Sequence, residues 1–268
     1  MANPEHPINS NSAVLYHEEG PVAVITLNRP SRYNAFNDAL IQGLNTSLDQ
    51  AAADPNIRVI ILRGAGPGFS AGADLGLFAG VTPEQGRDYI KSNYRPLMRK
   101  FCDLPKPIIG AIHGTAAGVG CALALACDLR VMTEDASFRY AFINIGLGPD
   151  GGAGWFLARA VGYSRAMEIA CSGEKIGADR CLELGLTNRI APVGEMMAFA
   201  LEWANELAQK APIALGITKA DLQFAIDHTL DETVDFEADQ QMAAFSSEDL
   251  REGVGAFLAK RPPRFKGK

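Results

Sequence analysis

Two stretches of small residues constrain this chain more than any other feature. Phe69-Ser70-Ala71-Gly72-Ala73-Asp74 follows the β-branched run at residues 58–63 (RVIILR), and Gly114-Thr115-Ala116-Ala117-Gly118-Val119-Gly120 follows residues 107–112 (PIIGAI). Each run reads as a buried strand, and each small-residue turn leads into a helix. Small side chains let a ligand come close to the main chain. The first N–H groups of a helix have no intrahelical partner and sit at the positive end of its dipole. Two such groups aimed at one point make an oxyanion hole. The alternative role for the same glycines is tight turning and close helix–sheet packing. Phosphate binding is weakly supported, because no GK[ST] follows either turn and the strict GxGxxG spacing is missing.

The surrounding pattern alternates strand and helix. Residues 13–18 and 21–28 read as a hairpin turning at Glu19-Gly20. Asn37 is placed to cap a helix carrying Leu40, Ile41, Leu44 and Leu48 at helical spacing. Thr82-Pro83-Glu84-Gln85 has the capping-box pattern of a helix running to about Phe101 and disturbed near Pro96. The apolar segment CALALAC reads as a buried helix and residues 129–132 as the next strand. Helices are expected at residues 155–161, 165–171, 178–184 and 196–209, with two or three more beyond Pro212. Strands followed by helices in this order favour an α/β core with parallel pairing.

A third glycine-rich segment, Gly146-Leu147-Gly148-Pro149-Asp150-Gly151-Gly152, leads into the helix at Trp155. By local pattern Asp150 is a helix N-cap; the sharper reading makes it a general base on a loop facing a pocket.

With 268 residues, 47% of them hydrophobic and only 21% charged, the chain has enough apolar material for one large core. A net charge of −6 argues against a broad nucleic-acid surface or an electrostatic membrane binder. No apolar stretch approaches the ~20 residues that span a bilayer, and the opening MANPEHPINSNS lacks the basic head and apolar segment of a secretory signal. The five cysteines, Cys102, Cys121, Cys127, Cys171 and Cys181, include no CxxC pair. They read as reduced thiols of a cytoplasmic protein and offer no metal site.

Four separated segments resemble the enoyl-CoA hydratase/isomerase (crotonase) superfamily, in the expected order and over nearly the whole chain. They are VAVITLNRPSRYNAFN, VIILRGAGPGFSAGADL, KPIIGAIHGTAAGVGCALALACDLRV and FLAKRPPRFKG. The resemblance implies a crotonase (ClpP-like) spiral of ββα units over residues 1–200. It also implies a helical C-terminal region over residues 201–268, used in forming a homotrimer or homohexamer. The substrate would be an acyl-CoA thioester whose carbonyl oxygen takes N–H bonds from Ala73 and Val119. Arg32, Tyr33, Ala35, Ala71, Gly72, Asp74 and Leu75 would contact substrate, as would Gly118, Phe142 and Pro149. Coenzyme A is part of that substrate, and no separate cofactor or metal is implied.

The chain departs from typical hydratases at both glutamates that deliver water across the double bond. Ala122 and Phe142 occupy those positions. The GLGPD segment instead resembles the GLxPD of epoxyphenylacetyl-CoA isomerases, whose aspartate is implicated in moving protons. A lone carboxylate at Asp150, with a pKa raised among Phe142, Pro149 and Trp155, suits double-bond isomerisation. The alternatives are hydration, Asp150 as a nucleophile in dehalogenase- or hydrolase-type chemistry, and a CoA-ester binder without activity.

The remaining polar residues carry ordinary expectations. His113 should be packed or hydrogen-bonded, Asp74 should cap the helix after the first turn, and Asp128 should be a cap or turn residue. His17 and His228 have no carboxylate partner at recognisable spacing, and His6 lies in a flexible tail. The terminal KRPPRFKGK reads as a solvated tail or a contact for coenzyme A phosphates.

Overall fold

The structure is a computed structural model and describes residues 12–268; His6 lies outside them. Strands β1 (Val14–Glu19) and β2 (Val22–Leu27) form the expected antiparallel hairpin. Helix α1 (Asp38–Ala53) follows, its N-terminus capped by the Asn37 side chain, which accepts from the Leu40 N–H at 3.0 Å. The remaining strands are β3 (Val59–Gly64), β4 (Ile108–Ile112), β5 (Thr115–Ala117), β6 (Leu129–Thr133), β7 (Ser137–Arg139), β8 (Lys175–Gly177) and β9 (Arg189–Ala191). One sheet has the order β1-β2-β3-β4-β6-β9, parallel from β2 onward. A second, smaller sheet has the order β5-β7-β8.

The chain passes from the larger sheet to the smaller and then into a helix on successive circuits. β4, β5 and α4 (Val119–Ala126) make one circuit. β6, β7, α5 (Ala153–Val161) and α6 (Tyr163–Ser172) make the next. This is the spiral of ββα units that the sequence resemblance implies. α7 (Ala178–Glu183) and β9 complete the larger sheet.

Alternate residues of the central strands go to opposite faces, as a two-residue period requires. Ala23, Ile25, Ile60, Leu62, Ile108 and Ile112 join the main core with α1 and α4. Val22, Val24, Val59, Ile61, Ile109 and Ala111 meet α8 (Met196–Ala208), whose Met196, Ala200, Ala204 and Ala208 recur every four residues. α8 crosses the expected boundary at residue 200 and belongs to the sheet's packing. The helices beyond it are α9 (Pro212–Ala225), α10 (Leu230–Ser246) and α11 (Glu248–Leu258).

Asp128 ties this C-terminal region to the core. Its carboxylate accepts from the Ile108 N–H at 2.8 Å and from Lys219 Nζ of α9 at 2.9 Å. It is therefore a bridge between two regions and not a simple turn residue. The terminal segment is not a free tail either. Buried Asp249 accepts from the Lys266 and Gly267 N–H groups at 2.6 and 2.8 Å, and Glu252 pairs with Arg261 at 2.6 Å. Among the described residues no helix is long and apolar enough to cross a membrane.

The capping box at Thr82 opens α2 (Pro83–Tyr89). A single π turn, Ile90–Tyr94, interrupts the helix before α3 (Arg95–Asp103). Pro96 has no N–H and its ring would crowd the carbonyl of residue 92, which accounts for the widened turn just ahead of it.

Asn34 holds the first small-residue turn. It is fully buried in a left-handed conformation (φ 54°), which asparagine tolerates better than most residues. Its amide nitrogen lies 2.8, 2.9 and 3.1 Å from the carbonyls of Ala65, Gly68 and Phe69, and its Oδ1 accepts from the Arg29 N–H. Asn34→Leu should lower unfolding free energy by about 3 kcal/mol, since it strands several buried polar groups at once. Chemical denaturation measures this, and a loss below about 1 kcal/mol would contradict the assigned role.

Candidate active site

The two small-residue turns meet because Ser70 adds itself to the edge of the small sheet. The Ser70 N–H donates to the Thr115 carbonyl (3.2 Å) and the Ala117 N–H to the Ser70 carbonyl (2.8 Å). This is a parallel bridge with Ser70 opposite Ala116. Beyond this bridge the chain at Gly72, just before Ala73, passes close to Ala117 and Gly118, just before Val119. Side chains would prevent the approach: a Cβ on Gly72 (φ 92°) would lie 2.7 Å from the Ala117 oxygen and 3.5 Å from the Gly118 Cα. Ser70 Oγ donates to the Asn34 carbonyl and accepts from the Gly72 N–H, which fixes the bend.

The neighbouring amides are committed. Gly72 O accepts from the Phe36 N–H at 2.7 Å, and the Asp74 N–H donates to Phe36 O at 3.0 Å. Gly118 N–H donates to Arg139 O at 3.0 Å. Among the described residues the N–H groups of Ala73 and Val119 have no such partner. Val119 is the first residue of α4, where an unpaired N–H is expected from helix geometry. Two free donors thus belong to adjoining backbones.

Gly151 brings the Asp150 segment against Val119. Gly151 adopts φ 58°, and a Cβ there would lie 2.5 Å from Val119 Cγ2 and 3.6 Å from Tyr94 Cδ2. The Val119 side chain is buried and packs against this third turn. Asp150 does not cap α5. Gly152 occupies the cap position without a side-chain bond, and only the Asp150 carbonyl takes part, accepting from the Ala153 N–H. The helix starts two residues too late for the carboxylate to reach its first amides. Asp150 Oδ1 is instead buried without a hydrogen-bond partner, and burial pushes its pKa up to about 6.

The rim comes from the segment after β2. Arg32 and Tyr33 are exposed, with Tyr33 in the left-handed region (φ 50°), and the Tyr33 carbonyl accepts from the Ala71 N–H at 2.8 Å. Ala35 is buried and its carbonyl accepts from Arg29. Asp74 is not a side-chain cap: its carboxylate pairs with Arg29 at 3.0 Å, a hydrogen bond that holds it below the usual carboxylate range. Ala71 and Leu75 are exposed beside it. Phe142 is buried, with its ring near Gly118, while Pro149 is exposed. Ala122 is fully buried in α4.

The Enoyl-CoA hydratase/isomerase family model matches residues 17–268, nearly the whole chain. The chain belongs to that family. It is 40% identical over 259 residues to the 1,2-epoxyphenylacetyl-CoA isomerase of Escherichia coli K12, covering 95% of this chain and 98% of the relative. It is 35% identical over 258 residues to the 2,3-dehydroadipyl-CoA hydratase of the same organism, covering 96% and 100%. Among solved structures, the enoyl-CoA hydratase of Bacillus anthracis superposes with a TM-score of 0.91 at 34% identity, covering 96% and 100%.

Within this crotonase-family site, several residues were not singled out by sequence. Asn34 and Ser70 hold the first turn, Arg29 anchors Asp74, and Tyr94 borders Gly151. Only Asn34, the first asparagine in RYNAFN, carried a local signal, as a residue type suited to left-handed backbone. A cavity of about 1060 Å³ extends from Gly151 and Gly152, between Met98, Phe156, Ile217 and Phe236.

The histidines lie outside the chemistry. His113 Nε2 is 2.8 Å from Gly66 O, and His228 stacks on Phe224 at 3.6 Å. His17 does have a carboxylate partner, Glu19 at 3.1 Å, because residues two apart on a strand share a face. All five cysteines are free, and burial pushes the Cys127 and Cys181 thiols up to about 12. Among the described residues no group of three or more acidic, cysteine or histidine side chains could hold a metal.

The raised pKa of Asp150 makes stability depend on pH in a definite direction. The folded value of about 6 exceeds the ordinary 3.8, so folding favours the protonated acid. The penalty is absent below about pH 4 and complete above about pH 6. Asp150→Asn should therefore be stabilised relative to the parent by about 2 kcal/mol at pH 8 and by about a third as much near pH 4.5. Thermal melts at both pH values check this, and equal stabilisation at the two would contradict it.

Proposed function

We propose that this protein isomerises the double bond of an enoyl-CoA thioester, with Asp150 carrying the proton. The observation behind this reading is Asp150 Oδ1, buried without a hydrogen-bond partner one residue from Gly151, whose backbone packs on Val119. The thioester carbonyl oxygen would accept from the Ala73 and Val119 N–H groups. Arg32, Tyr33, Ala35, Ala71, Gly72, Asp74 and Leu75 would face the coenzyme A side, and Gly118, Phe142 and Pro149 the acyl side.

The Asp150 carboxylate removes a proton α or γ to the thioester. The freed electron pair moves into the conjugated system and onto the carbonyl oxygen. The same carboxyl then returns the proton at the other carbon. No atom is gained or lost, and no water need enter the product. Each preorganised donor contributes roughly 3 kcal/mol to stabilising the developing oxyanion. A carboxylate of pKa about 6 is a stronger base than an ordinary aspartate and still largely ionised at neutral pH.

Apolar residues at 122 and 142 favour isomerisation over hydration, because neither can activate water. The 40% identity to a relative named an isomerase supports the same choice. Exposed apolar side chains on the C-terminal helices, among them Leu230, Met242, Phe245 and Phe257, suit burial against further copies in a trimer or hexamer.

The test is a panel of enoyl-CoA isomers differing in double-bond position. Interconversion without net hydration is expected, with kcat/KM rising through pH about 6 as the base ionises. Asp150→Asn should lower kcat by about a thousandfold. Full activity in that variant, or hydration as the main reaction, would reject the proposal. Transfer of heavy oxygen from solvent into Asp150 during one turnover would indicate nucleophilic attack instead.

A further inference from the structure

Tyr94 ends the π turn just before Pro96. Its side chain is fully buried, yet its hydroxyl has no hydrogen-bond partner among the described residues. The ring stands edge-on to Phe36 at 6.1 Å and to Tyr89 at 5.6 Å between centroids. Phe36 is the bridge partner of Ala73. A ring-edge carbon, Cδ2, borders Gly151, and Gly151 in turn borders Val119. One tyrosine ring therefore packs against the Phe36 side chain, whose backbone pairs with Ala73, and lies beside Gly151, next to the aspartate.

The Tyr94 hydroxyl and Asp150 Oδ1 are both buried without partners, and the Tyr94 ring lies beside Gly151, the residue after Asp150. Each costs about 1–3 kcal/mol if it stays unpaired, and native structures keep such atoms rarely. Tyr89 cannot serve instead, because its hydroxyl already donates to Asp38 Oδ1 at 2.7 Å. The titratable groups acting on the Tyr94 phenol are Asp150, Tyr89 and Asp38, all acids. Burial first, and the Asp150 charge second, push the phenol above the ordinary tyrosine range. It remains an O–H donor throughout the working pH range.

We infer that Tyr94 is a positioning residue for Asp150: its hydroxyl donates through one bridging water to the ionised carboxylate and so holds Asp150 in its basic form. A hydrogen bond to the charged form of an acid lowers its pKa. Tyr94 thus limits how far burial can raise Asp150 and fixes which carboxylate oxygen is left for substrate. The inference rests on the acid–base assignment of Asp150 made above.

The deciding experiment titrates the Asp150 carboxyl in the full-length protein without substrate. Its signal is the infrared or carbon-13 band missing from Asp150→Asn. In Tyr94→Phe the titration should move up by about one unit, and the acid limb of kcat/KM should move with it. kcat should fall about tenfold with KM within about twofold. Site-specific 3,5-difluorotyrosine at position 94, a more acidic donor in the same packing, should move both the other way.

A Tyr94→Phe protein with the titration and acid limb unmoved overturns the inference, whatever its activity. If that variant does not fold, the difluorotyrosine protein decides alone: a downward shift supports the inference and no shift overturns it. Because the titration needs no turnover, it separates this pairing from the proposed reaction. Full activity in Asp150→Asn would reject the reaction while leaving a Tyr94-dependent titration in place.

Discussion

Contact between two main chains without intervening side chains is the constraint on which the site depends. The Ser70–Ala116 bridge sets the register, and Gly72 permits the approach to Ala117 and Gly118. A methyl group at position 72 would need space already filled by a carbonyl oxygen. The surrounding polar network reinforces the bend. Asn34 satisfies the carbonyls that the turn leaves unpaired, and Ser70 bonds back to Asn34. Backbone amides held in this way need little reorganisation when charge forms beside them, which gives an oxyanion hole its effect.

The third turn adds an opposed tendency. Asn34 and Ser70 pair the polar groups of the first turn, whereas Asp150 Oδ1 is buried and unpaired. A desolvated carboxyl weakens the fold at neutral pH and strengthens the group as a base, two expressions of the same free energy. The extensive apolar core on both faces of the sheet can carry such a local cost. Gly151 concentrates it at one point, since its backbone conformation and its contact with Val119 leave the preceding residue beside the second turn.

Much of this was legible in the sequence. The β-branched runs gave the parallel pairing of the core strands, and the family resemblance pointed to Ala73 and Val119 as donor positions. The caps at Asn37 and Thr82 follow local rules and were found where expected. The three-residue strands β5, β7 and β8 are too short for alternation to reveal. The true roles of Asp74 and Asp128 depend on Arg29 and Lys219, distant in sequence. Asp150 resembles a cap because Pro and Gly surround it, and only the start of α5 at Ala153 shows that it is free. The basic terminus looks solvated until Asp249 is seen binding its amides.

The most direct test of the central claim is a crystal structure of the Asp150→Asn protein bound to an enoyl-CoA thioester. The thioester oxygen should lie about 3 Å from both the Ala73 and Val119 nitrogens. A thioester oxygen that contacts neither amide, in a site that holds coenzyme A, would contradict the account.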